Sequence, residues 1–224
     1  MDGSGRWAET RGLDRNEGYS AASCAIASTI LAAADLGVKS LYLYSLSTDN
    51  ARRPPDSIRV ALDFAQWLWP REVLDVITAC GGSAEVIGDM SRADILESVE
   101  TLPVLEKATE SALTVYFLIN YGSREEIALA ARAYDQGLPE GNDSAILTFS
   151  RSLQTNSNVD LDLLIRTAGE QRLSNFMLWQ ASYAELVFTD TLWPDFRRCH
   201  LFSCVGEFQR RRRNFGLLPN EAQS

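Results

Sequence analysis

Histidine is nearly absent from this chain: His200 is the only one in 224 residues. That excludes a His-rich metal site and leaves a Ser-His-Asp triad without support, because both need an imidazole among other ligands or beside a nucleophile. His200 itself is expected at the surface or an interface. Cysteine is scarce too. Cys24, Cys80, Cys199 and Cys204 show no C-x-x-C spacing, which argues for reduced thiols in a cytoplasmic protein. No run of about 18 apolar residues occurs, so no segment reads as a transmembrane span. The opening residues show no signal-peptide core. A positive excess is also missing. The net charge of −9 repels nucleic acid and anionic membrane, so any bound anion must be held by a local cluster of arginines.

What is present suits one sizeable core. Hydrophobic residues make up 46% and charged residues 23% of the chain, an ordinary globular balance, and the length fits a single domain over residues 1–224. The most informative stretch is 160–196. An apolar strand at 161–165 is followed within nine positions by Arg166, Glu170, Arg172 and Ser174. Ligands of α/β proteins bind at the carboxyl ends of strands. Two guanidinium forks and a hydroxyl suit a phosphate. The bland alternative is a loop held by an Arg166–Glu170 salt bridge with nothing bound.

The opening segment is the second candidate. In Asp2-Gly3-Ser4-Gly5-Arg6-Trp7 the glycines let backbone amides turn towards a phosphate, and a helix follows whose positive end adds to the effect. Asp2 is the only carboxylate in the loop and a natural Mg²⁺ ligand beside bound phosphate. An ordinary glycine turn is the alternative. Such a loop is usually anchored by a preceding strand, so a first strand is expected ahead of Met1.

Between these stretches strand and helix patterns alternate. Helices are expected over 20–36, 56–77 with a break at Pro70, from a capping box at Ser91, over 125–134, 145–153 and 197–213. Strands are expected over 40–46, 83–87, 113–120 and 185–188. This order predicts an α/β fold with a central, mostly parallel β-sheet flanked by helices. The basic run 210–213 is either a solvated helix end or phosphate-facing.

Several stretches together resemble one family, the cis-prenyltransferases of the undecaprenyl diphosphate synthase type. They are MDGSGRWAETRG, LYLYSLSTDNARRPP, INYGSREEI, DLLIRTAGEQRLSNFMLWQASYAELVFTDTLWPDF and RRRNFG, in family order from Asp2 to Gly216. The resemblance implies a hydrophobic tunnel, a homodimer and a Mg²⁺-assisted reaction: an allylic diphosphate ionises, isopentenyl diphosphate attacks the cation, and a proton leaves to give a cis double bond. It implies that Asp2 holds Mg²⁺ and the allylic diphosphate, with Gly3, Gly5, Arg6 and Arg15 binding that diphosphate and Ser4, Trp7 and Tyr19 beside it. Arg166, Arg172 and Ser174 would bind isopentenyl diphosphate. Ser47 and Asn50 would line the reacting centre, Arg53 would support it, and Glu185 would be a second metal or interface ligand. No D-D-x-x-D motif occurs, so the trans-prenyl synthase route to this chemistry has no support.

The chain departs from the family pattern at several of these places. Ser4 stands where the family has Asn, Tyr19 where it has His, Ala51 where it has a bulky residue, Ser57 near a usual Glu, Gln171 for a His, and Asn214 for an Arg. Benign drift is one explanation, since Ser and Tyr still donate hydrogen bonds. Head-to-middle coupling of dimethylallyl units to a lavandulyl-type skeleton is the other. A non-catalytic partner subunit is disfavoured, because Asp2, Arg166, Arg172 and Ser174 are all present. The bulk of Trp67, Trp69, Tyr116, Phe117, Leu118 and Ile119 predicts a narrow tunnel and a product of about C10–C20, since overpacking blocks further chain burial.

Overall fold

The computed structural model describes residues 1–51, 71–91, 112–136, 145–155 and 160–213. Of the helix expected over 56–77, residues 56–70 lie outside these residues, as do the continuation of the capping box beyond Ser91 and the residues Arg53, Trp67 and Trp69. In order the elements are α1 (Ser4–Glu9), α2 (Arg15–Asp35), β1 (Ser40–Tyr44), α3 (Thr48–Ala51), α4 (Arg71–Ala79), β2 (Ser83–Ile87) and β3 (Thr114–Leu118). Then come α5 (Ser123–Gln136), α6 (Ala145–Arg151), β4 (Leu163–Arg166), β5 (Glu185–Phe188), a 3₁₀ turn (Trp193–Asp195) and α7 (Arg198–Arg210).

All described strand pairs are parallel, as the strand–helix alternation requires. One sheet has the order β1-β3-β2 and the other pairs β4 with β5. Strand alternation separates two cores. Leu43, Val115 and Phe117 face α2, α4 and α7, packing with Ile26, Ile30, Ile77 and Leu201. On the other face Tyr42, Tyr44, Tyr116 and Leu118 gather round Tyr121 and Met177. Tyr42 and Tyr116 are register partners, and their rings stack at 4.5 Å.

Helix α2 is longer than its apolar pattern suggests. Asp14 caps it: Oδ1 accepts from the Asn16 amide at 2.9 Å and Glu17 Oε2 accepts from the Asp14 amide at 3.0 Å, a reciprocal capping box. Small residues let it sit deep, with Ala22, Ala25, Ile26, Ile30 and Ala33 fully buried. Gly18 is where α1 crosses α2, since a Cβ there would lie 2.4 Å from the Ser4 carbonyl oxygen.

A cavity of about 1020 Å³ separates β1 from β4. Residues 37–45 line one wall and 160–167 the other, without skipping positions. Neighbouring residues of a strand point to opposite faces, so a wall made of consecutive residues is a strand edge. The cavity is therefore partly a slot in the plane of the sheets. Among the described residues β1 pairs in its sheet only with β3, and β4 only with β5, which leaves the two edges facing the slot without strand partners.

Candidate active site

The slot opens at the carboxyl ends of β1 and β4, and there the charged residues converge. Strand β4 delivers Arg166 as its last residue. Its guanidinium donates to Asp2 Oδ2 at 3.1 Å, to Ser174 Oγ at 2.7 Å and to the Arg172 carbonyl. The Arg166–Glu170 bridge of the alternative reading does not form. Ala168 and Gly169 both take left-handed conformations, φ 71° and 74°, and this turn swings Glu170 away. Glu170 instead pairs with Arg6 at 3.4 Å and with Arg172. Arg6 also lies 3.8 Å from Asp2. Three arginines, two carboxylates and one hydroxyl thus form one chain at the cavity rim.

Asp2 is fixed through its backbone. Thr167, 2% exposed, accepts from the Asp2 amide at 2.9 Å and donates to the Asp2 carbonyl at 3.0 Å. Gly3 follows at φ 105°, and a Cβ there would come within 2.9 Å of Leu192 Cδ2. The loop can turn here only because the residue is glycine.

The second rim comes from β1. The chain leaves Tyr44, bridges Ser47 to Tyr121 and turns into α3. Ser47 Oγ accepts from the Asn50 amide at 3.0 Å, and Ser47, Asp49 and Asn50 line the cavity. Tyr44 donates its hydroxyl to the Tyr121 carbonyl at 3.0 Å and stacks on Phe176 at 4.8 Å. Burial pushes the Tyr44 and Tyr121 hydroxyls above the usual phenol range, so both remain neutral donors. Tyr42 is pushed up to about 12 for the same first reason, with the neighbouring Tyr116 adding.

Of the residues singled out from the sequence, Asp2, Arg6, Ser47, Asn50, Arg166, Arg172 and Ser174 share the cavity wall. Gly3 shapes the loop, and the exposed Arg15 reaches over Gly5, where an added Cβ would meet its Nε at 3.7 Å. Ser4 and Tyr19 flank the α1–α2 crossing off the cavity wall. Trp7 points elsewhere: its indole donates to Asp195 Oδ1 at 2.7 Å and Arg11 covers its ring at 4.4 Å. Glu185 begins β5, beside Leu163, at the opposite end of the strand pair from Arg166. Its carboxylate accepts from Arg211 at 2.9 Å. Hydrogen bonds that Arg211 donates to Glu185 and Glu207 raise its pKa further, so this member of the basic run serves as a structural tie. Tyr116, Phe117, Leu118 and Ile119 are off the wall of this cavity. Phe117, Leu118 and Ile119 are wholly buried core. The aromatic residues along the cavity are instead Tyr42, Tyr44, Phe176, Trp193, Phe196 and Phe208. Thr167 was not singled out, and no spacing rule marks it: it is one more residue after an apolar strand.

No group of three or more His, Cys, Asp or Glu suited to a metal occurs among the described residues. Asp2 stands as a half-exposed carboxylate beside the arginines. That donor set fits a hard cation completed by phosphate oxygens of a ligand, not a cage built from protein alone. Partly exposed arginines paired with carboxylates, as Arg6 and Arg172 are, can exchange those partners for a ligand's phosphates.

Comparison with known proteins agrees with this chemistry. The family described as undecaprenyl diphosphate synthase matches residues 1–216. The chain is 42% identical to a trans,polycis-polyprenyl diphosphate synthase of Thermobifida fusca, (2Z,6E)-farnesyl diphosphate specific, over 96% of this chain and 78% of that one. It is 40% identical to the decaprenyl diphosphate synthase of Mycobacterium tuberculosis, over 96% and 74%. Among solved structures, lavandulyl diphosphate synthase from Lavandula x intermedia in complex with dimethylallyl diphosphate superposes with a TM-score of 0.86 at 32% identity, covering 96% of this chain and 95% of that one.

Proposed function

Since the chain belongs to the undecaprenyl diphosphate synthase family of prenyltransferases, we propose that it condenses an allylic diphosphate with isopentenyl diphosphate to a short cis-prenyl diphosphate of about C10–C20, the limit being set by bulk along the cavity. The observation that carries this reading is the convergence of Arg6, Arg166, Arg172 and Ser174 beside Asp2 at one end of an apolar-walled cavity. Diphosphates are held at the charged end and hydrocarbon runs along Tyr42, Tyr44, Leu161 and Phe176.

The residues divide the work. Arg6 and the amides of the Gly3–Gly5 turn, with Arg15 near by, bind the allylic diphosphate. Arg166, Arg172 and Ser174 bind the isopentenyl diphosphate. The allylic C–O bond breaks and its electron pair leaves with the diphosphate. The isopentenyl alkene attacks the allylic carbon, and a proton is lost to form the new double bond. Fixed donors aimed at the leaving diphosphate act where charge grows in the transition state. Asp2 would hold a Mg²⁺ ion, which when bound would supply Lewis-acid neutralisation of that charge. Four cysteines that are all free thiols suit a reducing cytoplasm. The family resemblance supports a homodimer. The same resemblance suggests a single domain over residues 1–224.

Head-to-middle coupling is the second reading. Ser4 and Tyr19 favour it, as does the TM-score of 0.86 to the lavandulyl enzyme. One assay separates the two. The protein with Mg²⁺ receives isopentenyl diphosphate plus dimethylallyl, geranyl or farnesyl diphosphate, and separately dimethylallyl diphosphate alone. Linear cis products up to C20 are expected. A branched C10 from dimethylallyl diphosphate alone establishes the second reading, and products of C50 or longer refute the chain-length limit.

A further inference from the structure

The two rims of the site belong to segments far apart in sequence, 47–50 and 172–175. One side chain joins them. Glu125, in the first turn of α5, accepts from Thr48 Oγ1 through Oε1 at 3.3 Å and from Asn175 Nδ2 through Oε2 at 3.0 Å. Thr48 is buried and follows Ser47 directly. Asn175 follows Ser174 directly.

The Asn175 end is locked. Its Oδ1 accepts from the Arg124 amide at 2.8 Å, so the amide cannot flip and its Nδ2 must face Glu125. Its carbonyl accepts from the Ser123 amide at 2.9 Å. Ser174 and Asn175 both hold positive φ, 49° and 62°, a conformation that costs a non-glycine residue unless neighbours impose it. The three polar groups close over Gly122. A Cβ there would lie 2.3 Å from Glu125 Oε2, 2.6 Å from Thr48 Oγ1 and 2.7 Å from Asn175 Nδ2.

We infer that Glu125 is a positioning residue that sets the distance between the Ser47–Asn50 turn and the Ser174 hydroxyl, and with it the separation of the two reacting substrates. This rests on the prenyl-transfer reading, in which 47–50 line the reacting centre and Ser174 holds the acceptor diphosphate. Glu125 lies off the cavity wall. A carboxylate is suited to the role because it accepts at both oxygens, and both of its partners present donors. Reaction between two bound molecules depends steeply on their relative placement.

The test compares Glu125→Ala, Glu125→Gln and Thr48→Val. Gln keeps a bond to each partner, since its oxygen accepts from Asn175 and its amide donates to the Thr48 hydroxyl. Ala removes both, and Val at 48 removes one while keeping shape. For Ala, kcat is expected to fall by roughly tenfold or more, with KM for either diphosphate changing less than about threefold. Gln restores kcat to within about threefold of wild type, because hydrogen bonding rather than charge does the work. Adding Thr48→Val to Glu125→Ala causes little further loss. An unchanged kcat in the Ala variant overturns the inference, and so does a Gln variant as slow as Ala. Hydrogen exchange on the same proteins gives a readout independent of turnover: Ala must raise exchange in both 47–51 and 172–178. Exchange raised in only one of the two stretches also overturns it. A wild type that joins no substrate pair sinks the prenyl-transfer reading, while the exchange result still decides whether Glu125 couples the rims.

Discussion

Thr167 grips Asp2 from both sides of one residue, accepting its amide proton and donating to its carbonyl oxygen. The carboxylate proposed to share a cation with substrate is therefore aimed by a hydroxyl that never touches it. Thr167→Val keeps the shape and removes both bonds. Each is worth about 1 kcal/mol, so kcat/KM for the allylic substrate is expected to fall by roughly 10- to 30-fold, and more divalent cation is needed to reach half-maximal rate. A cation titration of both proteins checks this. An identical titration curve refutes it.

Arg166 bonds to Asp2, Ser174 and the Arg172 carbonyl at once. Lysine retains the charge but not the planar fork. Arg166→Lys is expected to lower kcat by about a hundredfold, comparable to the loss of one preorganised donor to a growing anion. Steady-state kinetics at saturating substrate measures it. Loss confined to KM would show ground-state binding only.

Gly3 sits at φ 105° with Leu192 Cδ2 at 2.9 Å from any added Cβ. Gly3→Ala forces backbone strain and a clash together, at a cost of about 1–3 kcal/mol. A lower midpoint in urea is expected, with loss of the Asp2 geometry. A midpoint within error of wild type refutes it.

Much of the fold is legible in the residues, and the errors have physical causes. Strands β2 and β5 follow from short apolar runs bounded by turns. Helix α2 starts earlier than its apolar pattern because Asp14 and Glu17 cap it, a signal that hydrophobic periodicity ignores. The Arg166–Glu170 pair suggested by nearness in sequence fails because two consecutive left-handed residues intervene. The cluster at Arg166, Arg172 and Ser174 was readable as charge at the end of a strand. Its partner Asp2 was readable only as one carboxylate in a glycine turn. Which residues line the cavity was not legible, because alternation separates the two faces of β3 without saying which element stands beside either. Thr167 and Glu125 act through contacts across the fold, which a linear pattern does not encode.

Glu170 holds both Arg6 and Arg172. On the proposed reading it stands where an incoming anion's oxygens would go. A ligand must then evict a carboxylate before it can claim the arginines, and a diphosphate, with more charge and more acceptor atoms than inorganic phosphate, is expected to do so more readily.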